Sequence, residues 1–449
     1  MGKHRGSWVL PAAVTFGIAI IAAACSSSAS SPTTTSGSSG TSRPTSSSNP
    51  NPSSNEPGVT ATAINVGAIS TLTGSIASDF NGLSPGIKAY FNMVNAQGGI
   101  NGRKLILAYN LDDGGQPSQF TQLTHTLIDQ DHAFAVMVAS YWFSPNYFVE
   151  THTPTYGYNV SGNWQGPANL FAAGGSVQNY SAAVPVYAYL AQKTKSKNIA
   201  VISYGPSITS SYNACSTTAT GLQKAGFTIS YEDLGAQLGG SYASAVQRMQ
   251  QSGTQFVISC MQESDNITMA RAIQQYGLTT LHQLWLSGYD QSLLNQYSSL
   301  MQGVYFNLSG NVPYEAVKYG STYPGMVTYI KEMNKYEPAY TNNGVALQGW
   351  QSAALLAQAV RAAGNNLSQA NIINITNHIT NFTAGGLTTV TNWENSHNKT
   401  TYPTCSAFVK VEHKNFVPVL GTGSQVFVCV GPNPKDTTPV PAPAGTPGT

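Results

Sequence analysis

The sequence predicts an α/β protein of two lobes, each built on a doubly wound parallel sheet. Three observations carry that expectation. A strand–helix–strand unit occupies Ile64–Asp113, and a second strand–helix alternation restarts at Asn198 and runs to Leu308. Between two Ser/Thr/Pro/Gly-rich ends lies a body of roughly 370 residues, more than one hydrophobic core usually spans. Repeated βα units of this kind build parallel sheets covered by helices on both faces.

In the opening unit Ile64, Val66 and Ala68 alternate with Asn65 and Gly67, the period of a strand, and Thr71–Gly74 ends it in a turn. Ser84 and Pro85 offer a helix cap and a favoured first residue. Ile87, Tyr90, Phe91 and Val94 then recur on one helical face, and Gly98 with Gly99 stops the helix. After the Asn101–Gly102 turn comes a strand over Lys104–Leu111; the parallel pair requires a right-handed crossover. A helix over Gln119–Ile128, a buried strand over Ala133–Ala139 and an aromatic loop, Ser140–Ser144, follow. A third step runs through Tyr156–Tyr158 into Asn159–Gly162. The second alternation reads as strand 198–204, helix 211–225, strand 227–233, helix 241–251, strand 255–260, helix 265–276, and strands 284–287 and 303–308. Helices near 323–336, 344–363 and 367–379 come next. The hairpin Ala407–Glu412 with Phe416–Leu420 closes the body.

Residues of the opening unit also carry a family resemblance. Leu72-Thr73-Gly74, then Asn95-Ala96-Gln97-Gly98-Gly99-Ile100, Gly102 and the pair Asp112–Asp113 stand in the order and spacing of type I periplasmic solute-binding proteins. The chain resembles their Leu/Ile/Val-binding branch, the branched-chain amino-acid receptors of ABC transporters, to about residue 420. The resemblance implies three chain crossings at a hinge. Lobe 1 would combine 62–178 with 313–383, and lobe 2 would combine 179–312 with 384–431. It implies a receptor that closes on a small solute (an amino acid, amide or aromatic acid) and hands it to ABC permease subunits, with no cofactor.

The two ends have their own chemistry. Lys3 and Arg5 precede an apolar run from Trp8 to Ala24, the order of a signal peptide over 1–24. The run is shorter than the ~20 residues of a membrane span, so cleavage is expected rather than an uncleaved anchor. Ala22-Ala23-Ala24-Cys25 resembles a bacterial lipoprotein box, with Ala22 where leucine is usual, and implies a lipid on Cys25. The mature chain is then expected outside the cell's cytoplasmic membrane, held to its outer face by that lipid alone. Residues 25–61, rich in Ser, Thr and Pro, read as a disordered tether with a reach of roughly 30 Å. The tail 432–449 is expected to lack structure too.

Charge and cysteine usage narrow the classes further. Charged residues make up 8% of the chain. Loss of residues 1–24 leaves 18 basic against 18 acidic side chains, and no basic block remains to bind nucleic acid. Few carboxylates amid many Asn, Gln, Ser, Thr and Tyr point to tolerance of acid. Besides Cys25 the chain has Cys215, Cys260, Cys405 and Cys429, an even set suited to an oxidising compartment. Pairing Cys215 with Cys260 and Cys405 with Cys429 keeps each bridge local; four buried free thiols are the alternative. His125 and His132 lack the spacing of metal ligands, and no metal is expected.

Ligands of open parallel sheets bind beyond the carboxyl ends of the strands, where helix N-termini offer backbone N–H groups. Carried over position by position, the family pattern places Asp79 and Phe80 at the cleft wall. It places Tyr141 and Trp142 in the loop whose serines hold the ligand carboxylate in amino-acid binders. Ser161 lies in the next contact loop, Tyr212 (or Ser210) at an aromatic lid, and Gln262 at another aromatic contact. Tyr289 and Asp290 stand where a carboxylate holds the ligand ammonium. Each has a plainer reading as loop surface, and Asp290 as a cap for a helix starting at Gln291. Bulky rings in the serine loop count against an α-amino acid and favour a flat or apolar solute.

Enzyme signatures are missing from the sequence: no GxSxG elbow, no GxxxxGK[ST] loop and no HExxH. Ser396 to Lys399 fits SxxK, without its SDN and KTG partners. Glu263 and Asp265 read as the acidic first turn of a helix rather than an acid–base couple. A non-catalytic, monomeric transport receptor is therefore expected, with a ligand-sensing subunit of the same fold as the alternative.

Overall fold

A computed structural model describes residues 55–399 and 404–449. The signal segment, Cys25 and the tether up to residue 54 lie outside the described residues. The chain opens with β1 (Ala63–Ser70), α1 (Leu83–Ala96), β2 (Lys104–Asp112), α2 (Pro117–His125), β3 (Ala135–Ala139), α3 (Asn146–Glu150), β4 (Thr155–Gly157) and β5 (Leu170–Ala172). These strands form a five-stranded parallel sheet in the order β2-β1-β3-β4-β5. All residues of β3 are buried, as a central parallel strand covered on both faces must be. Edge strand β2 instead alternates between buried and exposed positions in its first half.

The first helix starts two residues earlier than a Ser84 cap predicts, and Ser84 does not cap it. Its N-cap is Gly82, because a side chain there would sit 2.1 Å from Oδ1 of Asn343. The Ser84 hydroxyl turns to Oδ1 of Asn110 instead. Pro85 remains in the first turn, where its missing N–H leaves no bond unmade. Close packing explains the glycines: a Cβ on Gly86 would meet the Ala346 carbonyl oxygen at 1.9 Å, and one on Gly349 the Leu83 oxygen at 2.1 Å.

After β5 come α4 (Tyr180–Lys193), β6 (Asn198–Tyr204), α5 (Thr209–Lys224), β7 (Thr228–Ala236), α6 (Ala243–Gln251), β8 (Phe256–Ser259), α7 (Glu263–Gln275), β9 (His282–Trp285), α8 (Gln291–Met301) and β10 (Tyr305–Asn307). The chain then makes α9 (Pro324–Tyr336), α10 (Gly344–Ala363) and α11 (Gln369–Asn377), of which α9 and α10 pack on α1. It ends in β11 (Thr404–Glu412), β12 (Asn415–Val419) and β13 (Phe427–Val430). The second sheet runs β12-β11-β10-β9-β8-β6-β7, parallel from β7 to β10 and antiparallel from β10 onward, with β13 on β11. Both disulfides have the expected pairing. Cys215–Cys260 ties α5 to the end of β8, and Cys405–Cys429 joins opposite residues of β11 and β13.

The tail expected to lack structure has no helix or strand of its own, yet it lies along the body. Pro439 forms a bridge with Val430, the Val440 N–H donates to the Cys429 carbonyl at 2.9 Å, and Thr437 bonds Gln192 of α4. Ala442 packs on the main core, and Thr446 is buried. Prolines lack an N–H, so such a segment can be covered with few bonds left unmade.

Candidate functional site

Loops from the carboxyl ends of both sheets meet at one place. Asp79 ends a single 3-10 turn (Ala77–Asp79) after β1, Tyr141 follows β3, and Tyr158 follows β4. From the second sheet, Glu263 opens α7 just beyond β8. The Ser78 hydroxyl approaches Glu263, and Asp79 lies near Glu263 and Tyr141, within the field of Asp265. Tyr158 also feels the Asp79 charge. Phe80, fully buried, sets its ring edge-on to Tyr141 at 4.7 Å.

A pair of aspartates braces the first-sheet side. Asp113 is fully buried; it accepts from the Thr71 hydroxyl at 2.7 Å, the Ser140 hydroxyl at 2.5 Å and the Gly115 N–H at 2.9 Å. Asp112 accepts from the N–H groups of Leu72, Thr73 and Gly114 and from the Thr73 hydroxyl. Slight burial raises its pKa, but the Thr73 hydroxyl and these N–H groups outweigh that and hold it low. The aspartates thereby fix the loops that carry Asp79 and Tyr141.

On the other side Cys260 anchors the start of the β8–α7 loop. The Tyr204 hydroxyl donates to Asp265 at 2.5 Å and accepts from the Gln262 N–H at 3.1 Å; the Gly239 N–H also donates to Asp265. Gln262, 2% exposed, folds its amide back onto Ser264. Burial pushes Asp79 well above the usual carboxylate range, aided by the charge of Glu263 and opposed by the Glu263 backbone N–H. Burial likewise raises Glu263 to about 7, opposed by the Ser78 hydroxyl and aided by Asp290.

The remaining candidates divide. Tyr289 stacks on Tyr314 at 4.7 Å and donates to Glu315 at 2.6 Å. Burial lifts Glu315 to about 7 against that bond. Gly288 has φ +99, and a side chain there would press on Leu293 and Glu263. Asp290 caps α8, accepting from the N–H groups of Ser292 and Leu293, and also accepts from Asn343, itself the cap of α10. Trp142 packs partly buried against the cluster holding Ile69, Phe120 and Phe143, and Phe143 stacks on Trp164 at 4.2 Å. Tyr141 is thus the ring of that loop that borders Asp79. Ser161 has a buried hydroxyl without a partner, and Tyr212 lies half-buried in the first turn of α5. Ser78, Tyr158, Tyr314 and Glu315 escaped the sequence reading, since only the folded chain brings them to the Asp79 and Tyr289 groups.

Cavities of about 590 Å3 (beside Trp393 and His397) and about 480 Å3 (beside Tyr90, Trp350 and Phe382) lie elsewhere. Neither is lined by Asp79, Tyr141 or Glu263.

The buried acids set a pH dependence. Glu263 and Glu315 ionise near 7 in the fold against an ordinary 4.5, so the folded state binds more protons. Their stabilising contribution is complete below about pH 4.5 and is lost as pH rises through about 7. Melting temperature is therefore expected to fall from pH 5 to pH 8. A melting temperature that instead drops on acidification to pH 5 would contradict these assignments.

Comparison with known proteins identifies the family and the fold. The periplasmic binding protein family matches residues 63–415. No curated protein sequence matches the chain. Among solved structures, it resembles the fatty acid ABC transporter substrate-binding protein of Thermomonospora curvata, with TM-score 0.66 and 17% identity over 84% of this chain and 93% of that one. It resembles a leucine-binding protein of Thermotoga maritima, with TM-score 0.65 and 14% identity over 79% and 97%. An extracellular ligand-binding receptor of Verminephrobacter eiseniae gives TM-score 0.64 and 19% identity over 79% and 99%. At these identities the likeness establishes the fold: two α/β lobes with parallel sheets.

Proposed function

Because the chain belongs to the periplasmic binding protein family, we propose that it is a non-catalytic extracytoplasmic receptor that closes two lobes on a small solute and delivers it to an ABC permease. The lobes are 62–178 with 313–383 and 179–312 with 384–431. The observation that carries this reading is the junction of Ser78, Asp79 and Tyr141 with Glu263, where loops from the two sheets meet. A solute touching both sides favours the closed form, and only that differential affinity moves the equilibrium.

The test is a thermal-shift screen of the full chain, tail included, against amino acids, amides, ureas, amines, aliphatic and aromatic acids and small peptides. A solute at 100 times its dissociation constant should add about 2.7 kcal/mol. Tyr141→Ala should weaken the hit, and the solute should be recovered unchanged. Conversion to product would make the protein an enzyme, and silence across the panel would remove the receptor reading. Lipid anchoring at Cys25 belongs to the same proposal: Cys25→Ser should release the protein from the membrane fraction or leave it unprocessed. Unaltered processing and fractionation would exclude the lipid.

A further inference from the structure

We propose that the solute of this cleft is a cation without a carboxylate (an amine, amidine or guanidinium) held between the carboxylates of Asp79 and Glu263. The assignment deepens the receptor reading and rests on it. One acid comes from the turn after β1 and the other from the first position of α7, so each lobe contributes one. None of the groups acting most strongly on either is basic: Asp79 feels the charges of Glu263 and Asp265 with Tyr141 nearby, while Glu263 feels the charge of Asp290 with Ser78 nearby. Two buried like charges without a counter-ion are costly, and each drives the other toward its neutral form. A cation placed between them removes that cost, and the rings of Tyr141 and Tyr158 beside Asp79 can add favourable faces.

Unfilled bonding capacity points the same way. Oδ2 of Asp79, a residue 8% exposed, has no hydrogen-bond partner. The hydroxyl of Tyr314, a residue 2% exposed, is also buried and unpartnered. It feels Tyr158 and Asp290, and Tyr158 in turn feels Asp79. A solute with several N–H donors would satisfy these oxygens.

The places that would hold an anionic solute are already taken. The Ser140 hydroxyl donates to Asp113 and accepts from the Trp142 N–H, so it is not free for a carboxylate. The N-terminus of α7 would attract an anion, but Asp79 lies against its first N–H, and Glu263 and Asp265 sit in its first turn. The chain supplies its own anions here.

Calorimetric titration of the full chain with 1,4-diaminobutane, agmatine and guanidinium, beside neutral amides and ureas and aliphatic and aromatic carboxylates, tests the assignment. An amine or guanidinium should bind at pH 8 and weaken as pH falls below about 7, where Glu263 takes up its proton. The other titratable groups facing the pair are Asp265, Asp290, Tyr141 and Tyr158. Asp79→Asn should weaken binding roughly 30-fold or more, the equivalent of about 2 kcal/mol for truncating one partner of a buried charge pair. The same substitution should raise the melting temperature of the solute-free protein at pH 8, because it removes a buried charge. Glu263→Gln gives an independent second variant if Asp79→Asn folds poorly. A carboxylate or neutral hit whose affinity survives Asp79→Asn overturns the cation assignment and leaves the receptor reading standing. Silence of the whole panel overturns both.

Discussion

Reduction of both disulfides is expected to lower the stability of the protein by about 7.5 kcal/mol, enough to unfold many domains outright. The separations of 45 and 24 residues correspond to about 4 and about 3.5 kcal/mol of lost loop entropy in the chain-entropy model. The two bonds should differ in consequence. Cys260 begins the loop that carries Gln262 and Glu263, so loss of Cys215–Cys260 frees one wall of the cleft. Cys405–Cys429 pins β13 to β11, remote in sequence from those loops. Replacing each pair with alanines and following urea unfolding separates the effects. Removal of Cys215–Cys260 should cost both stability and solute affinity, and removal of Cys405–Cys429 chiefly stability. Loss of less than about 1 kcal/mol for either pair would show that the closed loops do not constrain the unfolded chain as that entropy model requires.

The second large effect belongs to Asp113. Its carboxylate is fully buried and holds the hydroxyls of Thr71 and Ser140 with the N–H of Gly115. Asp113→Ala strands three donors, and each buried donor without a partner costs about 1–3 kcal/mol. A loss of about 3 kcal/mol or more is expected in urea unfolding, together with loss of solute binding as the Asp79 and Tyr141 loops come free. Asp113→Asn keeps an acceptor and should cost less. Equal stability of Asp113→Ala and the unaltered chain would remove Asp113 from its positioning role.

How far the sequence disclosed this arrangement depends on the range of the forces involved. The face Ile87, Tyr90, Phe91 and Val94 is buried in α1 because helix periodicity is local. Helix 344–363 was legible for the same reason, and its cap Asn343 fits the preference of asparagine for that position. Asp290 caps α8, the plainer of its two sequence readings. Ser84 looked like a cap and is not one, since the contact that decides it comes from Asn343, far along the chain. Three consecutive rings, Tyr141 to Phe143, suggested a pocket. The fold instead sends Tyr141 to Phe80, and Phe143 with Trp142 to the cluster around Phe120 and Trp164, because the chain leaves β3 in a turn rather than as a continued strand. Glu263 was read as an acidic helix start, which it is; its approach to Asp79 depends on how the lobes meet, which no local pattern encodes.

The course of the tail bears on how far such a protein could gape. Val440 is bonded to Cys429 of the second sheet, while a side chain on Gly445 would touch Val390 and one on Gly448 would touch Tyr323, the residue that precedes α9. Between Val440 and Gly448 lie eight peptide steps, which span at most roughly 28 Å when fully extended. As long as both ends stay seated, the tail is a leash of fixed contour length, and the opening of the cleft has a ceiling set by a count of residues rather than by the stiffness of any hinge.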